Sequence, residues 1–279
     1  MLQGLYLYEV ILMIGGSILF LVLIFLLIWD VIKGKSITSL LPFFLFPIIM
    51  IGWSTIKSIS YSNGTVEIQK TADSLAKNPA DTTLQVKLEK SVAAFDTTRA
   101  TKDTVALNAI SKAYYALGKY TDATRYNQKT LAINPNMQSA INLKTGIEKQ
   151  VAIKNNFNKS ITQLNTCLAA IDANKGQPNT AVTRQIIGTL KNIKQPVYTD
   201  ATSSLVIAKA LASVDKKEQS MQIVQKVLEA DPQSQETLQV KQNIEAGKYK
   251  PVVTDSAQTK SLDTKKFNLI IKKAIPVKQ

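Results

Sequence analysis

The sequence contains no histidine and one cysteine, Cys167. The first absence removes the commonest general base, the His-based catalytic triads and most transition-metal sites. The second leaves no internal disulfide to form. Cys167 falls on an apolar helical face with Leu164, Leu168 and Ile171, so it reads as a small buried hydrophobe. Arginine is scarce as well, with only Arg99, Arg125 and Arg184. Lysines therefore carry the net charge of +14, and they are scattered along the chain. Scattered lysine reads as solvated surface; nucleic-acid readout needs clustered Arg and Lys, often with exposed aromatics. No nucleic-acid partner is expected. The carboxylates are dispersed too. Gly34-Lys35-Ser36 has the ending of a phosphate-binding loop, but Trp29 stands where that loop needs its first Gly. No catalytic residue, cofactor or metal site is expected, and the chain is not expected to be an enzyme. Asn63-Gly64-Thr65 and Asn158-Lys159-Ser160 match the glycosylation sequon, a triplet that chance produces. Asn63-Gly64 reads better as a turn leaving a membrane.

What the sequence has in abundance is apolar length near its beginning. Residues 10–29 form a run of twenty without a charge, and residues 37–56 form a second. As a helix, each spans roughly 30 Å, the hydrocarbon thickness of a bilayer. Residues 30–36 alone separate them, so they read as a helical hairpin in contact with the lipid bilayer through residues 10–56. A cleaved signal peptide fits poorly, because no Lys or Arg precedes the first run and no small-residue cleavage site follows it. Trp29 and Trp53 sit where interfacial aromatics belong. Gly15, Gly16 and Ser17 would allow close helix approach, and Pro42 and Pro47 would kink the second helix. Lys33 and Lys35 place the hairpin loop in the cytoplasm by the positive-inside rule, which leaves the soluble part outside.

From Thr65 to Tyr249 the pattern is helical. Val182, Ile186, Leu190 and Ile193 make one amphipathic stripe, and Met221, Val224, Val227 and Leu228 make another. Breaks fall at Asn78-Pro79, Gly118, Asn134-Pro135, Gly176-Gln177-Pro178, Gln195-Pro196 and Asp231-Pro232. The expectation is helices of about 12–18 residues stacked in antiparallel pairs. The segments KTLAINP (129–135) and KVLEADP (226–232) correspond position by position.

Read from Thr104 to Met137, this chain resembles a tetratricopeptide repeat of 34 residues. Leu107, Ile110 and Ser111 occupy the first-helix positions, and Gly118 and Tyr120 the turn. Ala123 is the small contact residue of the second helix, and Pro135 ends the unit. Leu107, Asn127 and Thr130 depart from the usual residues. A weaker copy covers residues 201–234, with Asp215 in place of the turn Gly. SLAKNP (74–79) suggests another repeat ending near Pro79; either the intervening pairs, such as 138–173, are of irregular length, or only some units are true repeats. The resemblance implies an α-solenoid with a concave surface that takes peptide segments. The positions that usually face it map onto Asn108, Lys112 and Tyr115, and in the later copy onto Leu205 and Lys209. Two lysines and an Asn would suit a carboxylate or an acidic peptide.

The expected fold is all-α. A transmembrane hairpin occupies residues 1–59 (helices about 10–29 and 37–56), a tetratricopeptide-like domain 60–248 and a basic tail 249–279. The expected function is a membrane-anchored adaptor or scaffold with a protein or peptide partner. The alternative is a structural subunit of a membrane complex. The composition suggests a bacterial cell envelope.

Overall fold

The computed structural model describes residues 6–34, 38–173 and 180–249, together with 262, 267, 270 and 271. Among the described residues there are ten α-helices, two 3-10 segments and no β-strand beyond one isolated bridge, Thr199 with Ile271. The chain divides into two compact units, Met1–Thr145 and Gly146–Gln279.

The first unit begins with α1 (Leu7–Ile32), then a 3-10 segment (Leu41–Phe44) that leads into α2 (Leu45–Lys77). Gly16 sets the approach of α1 to α2: a Cβ there would lie 3.0 Å from Met50 Cβ and 3.3 Å from the Pro47 carbonyl. Ser17 has no such role; it is exposed and donates to the Met13 carbonyl at 2.8 Å. The kink expected from the prolines has no place to occur. Pro42 lies in the 3-10 segment and Pro47 in the first turn of α2, where a missing N–H costs little. Lys33 sits over the Trp29 ring at 4.5 Å and Lys57 over the Trp53 ring at 5.3 Å. Twenty residues separate Glu9 from Trp29, about 30 Å of helix.

Asn63-Gly64 is not a turn. Both residues lie inside α2, which continues unbroken for 33 residues. Gly64 serves close packing instead: a Cβ there would stand 3.2 Å from the Phe95 ring. The apolar and polar parts of α2 are thus one continuous helix.

α3 (Thr82–Ala94), α4 (Thr104–Ala116) and α5 (Tyr120–Ile133) complete this unit with the start of α6 (Gln138–Ala173). Their core is Ile68, Leu75, Leu88, Leu107 and Ile110, all at most 1% exposed. Tyr61 bonds Asp103 and Asp73 pairs with Lys112, so contacts between α2 and α4 ascend both helices together. The two are parallel, the relation between first helices of successive repeats. Asn78-Pro79 ends α2, yet α2 occupies a first-helix place, so no repeat closes there. Residues 138–173 likewise form one 36-residue helix rather than a pair.

The second unit contains the rest of α6, then α7 (Thr180–Asn192), α8 (Ala201–Ala212), α9 (Lys217–Ala230) and α10 (Gln235–Glu245). Leu164, Ile186, Leu190, Ile207 and Leu211 fill its core, and Cys167 is buried among them. Leu262 and Phe267, from the stretch expected as a tail, are 5% and 6% exposed in the same core. The expected break at 176–178 lies outside the described residues.

The two helix pairs α4–α5 and α8–α9 repeat each other in detail. Asp103 and Asp200 are the N-caps, Asp103 accepting from the Val105 and Ala106 N–H groups and Asp200 from that of Ser203. Gly118 and Asp215 both take positive φ, 70° and 61°. Lys119 N–H then donates to the Tyr114 carbonyl and Lys216 N–H to the Leu211 carbonyl, at 2.8 and 2.9 Å, the six-to-one bond of a Schellman turn. Asn134 and Asp231 end the second helices in near-identical extended conformations, φ −132° and −142°. The following proline excludes the helical region at both.

Candidate functional site

α4 carries three of the residues expected to face a partner. Its buried positions, Ala106, Leu107, Ala109, Ile110 and Ala113, point into the core, which leaves Asn108, Lys112 and Tyr115 half-buried on another face. Asn108 donates through Nδ2 to Ser139 Oγ on α6 at 3.2 Å, and its Oδ1 is buried with no hydrogen-bond partner. Lys112 Nζ meets Asp73 Oδ1 on α2 at 2.5 Å. Tyr115 packs its ring against Tyr120, with centroids 5.9 Å apart. This surface therefore runs across α2, α4 and α6, through Asp73, Lys112, Asn108 and Ser139.

Lys209 occupies the matching place on α8, in the other unit. Its Nζ lies 4.0 Å from Glu236 on α10. Ser139 and Glu236 are themselves equivalent, each on the helix after the pair. Leu205, expected beside Lys209, is 1% exposed and belongs to the core. Asn108, Lys112 and Tyr115 thus share one helix, while Lys209 lies on α8 in the other unit. Sequence reasoning treated the lysines as open cations, and both face a carboxylate of a neighbouring helix.

A match to a known family model falls on this part of the chain. The Fis1 C-terminal tetratricopeptide repeat model matches residues 109–153. The matched stretch holds most of α4, all of α5 and the first part of α6. Repeats of this kind are in general non-enzymatic interaction modules. No curated protein and no solved structure matches the chain.

A second polar constellation went unforeseen. Glu9, at the start of α1, is fully buried, and its Oε1 accepts from Arg99 at 2.6 Å. Ninety positions separate the two in sequence. Arg99 also reaches Asp96 at 3.1 Å and lies 4.6 Å from the Tyr6 ring centroid. Tyr6 donates its hydroxyl to Asp96 at 2.9 Å. Partial burial pushes the Asp96 carboxyl up, but hydrogen bonds from Thr98, Tyr6 and the backbone outweigh it and hold the group below its ordinary value. Burial first, and then the neighbouring Asp103 carboxylate, push the Tyr61 hydroxyl well up. These residues pin the beginning of α1 to the loop between α3 and α4. Beside them an open cleft of about 580 Å³ is lined by Lys57, Tyr61, Lys90, Phe95 and Arg99. The one sequence signal was Arg99 itself, a rare arginine in a lysine-rich chain.

Proposed function

We propose that this protein is a membrane-anchored adaptor whose tetratricopeptide-like surface holds a protein or peptide partner close to a bilayer. The observation that carries the anchoring is the exposure of large apolar side chains all around the hairpin. Ile11, Phe25, Ile48 and Trp53 are 61%, 65%, 55% and 55% exposed. A core helix of a water-soluble protein buries such residues, whereas lipid covers them at no cost. The hairpin is the anchor and residues 60–248 the binding part, with Leu262 and Phe267 of the C-terminal stretch packed into the core of the second unit. Lys33 and Lys35 favour a cytoplasmic loop, which puts the binding part outside the cytoplasm, in a setting such as a bacterial cell envelope.

The partner segment lies across Asn108, Lys112 and Tyr115 of the first unit; Lys209, at the matching place on α8, belongs to the second unit and is a candidate contact of its own. Asn108 Oδ1 is buried without a hydrogen-bond partner, a state that costs about 1–3 kcal/mol and that turning the side chain toward a peptide N–H would relieve. An acidic partner would compete with Asp73 for Lys112. A photo-crosslinking residue at Asn108 or Tyr115, in the full chain in membranes, tests this. It should capture a protein that the same probe at Gln128, exposed on α5, does not. Equal capture from both faces would sink the groove assignment. A second reading, an assembly subunit of a membrane complex, draws on the exposed outer face of α2; capture from hairpin positions alone would support it.

A further inference from the structure

We infer that α2 carries a self-association surface through which two copies of this chain pair side by side. This rests on the reading that the hairpin lies in a membrane, which orients both copies the same way.

α2 has two opposite faces. Its inner face packs through Tyr61, Thr65, Ile68 and Ala72, all buried. Two residues before each of them stand Ile59, Asn63, Val66 and Lys70, turned away by about 200° at 100° per residue. All four of those are exposed. The same offset holds within the apolar part, where Leu45 and Gly52 precede buried Pro47 and Ser54. Leu45, Ile49 and Ile56 are 62%, 56% and 66% exposed, and a Cβ on Gly52 would meet nothing within 4 Å. The outer face therefore runs Leu45, Ile49, Gly52, Ile56 and on through Ile59, Asn63 and Val66. Its steps alternate between four and three residues, the a/d spacing of a coiled-coil seam.

Lipid accounts for only the first half of this seam. Lys57 marks the end of the apolar run, and Ile59 and Val66 lie beyond it, 54% and 46% exposed. Val105 of α4, 50% exposed, joins them around an open cleft of about 400 Å³. Apolar side chains in that position need a covering surface other than lipid. The seam indicates what covers it. Asn63 occupies an a position, where a single Asn in a two-stranded parallel pair sets register and partner number at some cost in stability. An Asn amide is both donor and acceptor, so it can bond its own copy. Gly52 permits close approach. The flanking residues Thr55, Ser60 and Ser62 are uncharged, and Glu67 is held by Lys87 at 3.2 Å. Between Leu45 and Val66 no charge on the seam repels an identical helix; Lys70, exposed at the next a position, would repel its copy and marks the end of the seam.

The test is disulfide trapping in the full chain, in native membranes, with Cys167→Ala as background. Ile59→Cys and Val66→Cys should each give an adduct of twice the 30.7 kDa of one chain. Lys90→Cys, exposed on α3, should give none. Asn63→Asp, an exposed change that leaves the core untouched, puts like charges in one layer and should abolish the Ile59→Cys adduct. An adduct of any other mass would assign the seam to a different protein. Absence of adducts, or equal trapping at Lys90→Cys, would overturn the inference. Alkaline carbonate extraction of the same samples separates the two readings. A chain that stays in the membrane without trapping refutes pairing alone; one that is extracted yet trapped refutes the anchor alone.

Discussion

Ser111 donates its hydroxyl to the backbone carbonyl of Ala123 at 2.8 Å, across the close contact of α4 with α5. In the other unit the same bond runs the opposite way. Ser220, on the second helix, donates to the carbonyl of Ala208, on the first, at 2.7 Å. Ser111 corresponds to Ala208 and Ala123 to Ser220, so serine and alanine have exchanged places while the bridge between the helices persists. All four residues are fully buried. One small hydroxyl fits between the helices, from either side. Ser111→Ala should therefore cost about 1 kcal/mol of unfolding free energy. Ser111→Ala with Ala123→Ser, which copies the other unit, should recover most of it. Denaturant unfolding of the detergent-solubilised chain measures both, and failure of the double variant to recover would refute the equivalence.

The two turns offer a matched pair of glycine experiments. Gly118 and Asp215 sit in the same left-handed conformation, one with no Cβ and one with a Cβ. Gly118→Ala should destabilise by about 1 kcal/mol, the usual cost of a side chain there. Asp215 is exposed, so Asp215→Gly relieves that strain without removing a buried contact. A gain of about 0.5–1 kcal/mol is expected. A loss would mean that the aspartate side chain supports the turn.

Arg99→Ala removes the cation that, among the described residues, meets fully buried Glu9. An uncompensated buried charge costs about 3–5 kcal/mol, so this variant should be the most damaging of the set. Glu9→Gln should be milder, because Arg99 keeps Asp96. Limited proteolysis between α3 and α4 reports the loosening. Equal sensitivity of the two variants would argue that the ion pair contributes little.

Acid should act on the same cluster through Asp96. Its carboxyl lies below the ordinary value of 3.8 in the folded chain, so folding favours the ionised form. The stabilisation is complete above the unfolded value and is lost as pH falls through about 4 and below. Protease sensitivity of the α3–α4 loop should rise over that range, and Asp96→Asn should flatten the profile. A profile unchanged in Asp96→Asn would transfer the effect to another carboxylate.

Cys167 should resist thiol reagents in the folded protein. It is 3% exposed, and burial pushes its thiol up, which lowers both access and the thiolate fraction. Maleimide labelling should appear only with denaturant; rapid native labelling would contradict its placement in the core.

The legible parts of this chain are those that short-range rules control. Two charge-free runs marked the two long apolar helices, because apolar composition and helical geometry are properties of the local sequence. Prolines gave the helix ends at Asn134 and Asp231, because a proline constrains the residue before it wherever it occurs. KTLAINP and KVLEADP revealed the repeated pair for the same reason. Asn63-Gly64 misled, because the same glycine that permits a turn also permits an aromatic ring to sit against a helix. Only the packing of Phe95 decides between them.

By itself the sequence determined the all-α class, the apolar hairpin and the repeated helix pair, since periodicity and backbone constraint act over a few residues. The tertiary structure alone decided what each charge faces. Glu9 meets Arg99, Lys112 meets Asp73 and Lys209 approaches Glu236, on helices brought together by burial of their other faces. Charge pairing across such distances depends on where packing puts the helices, and nothing in the local sequence records it.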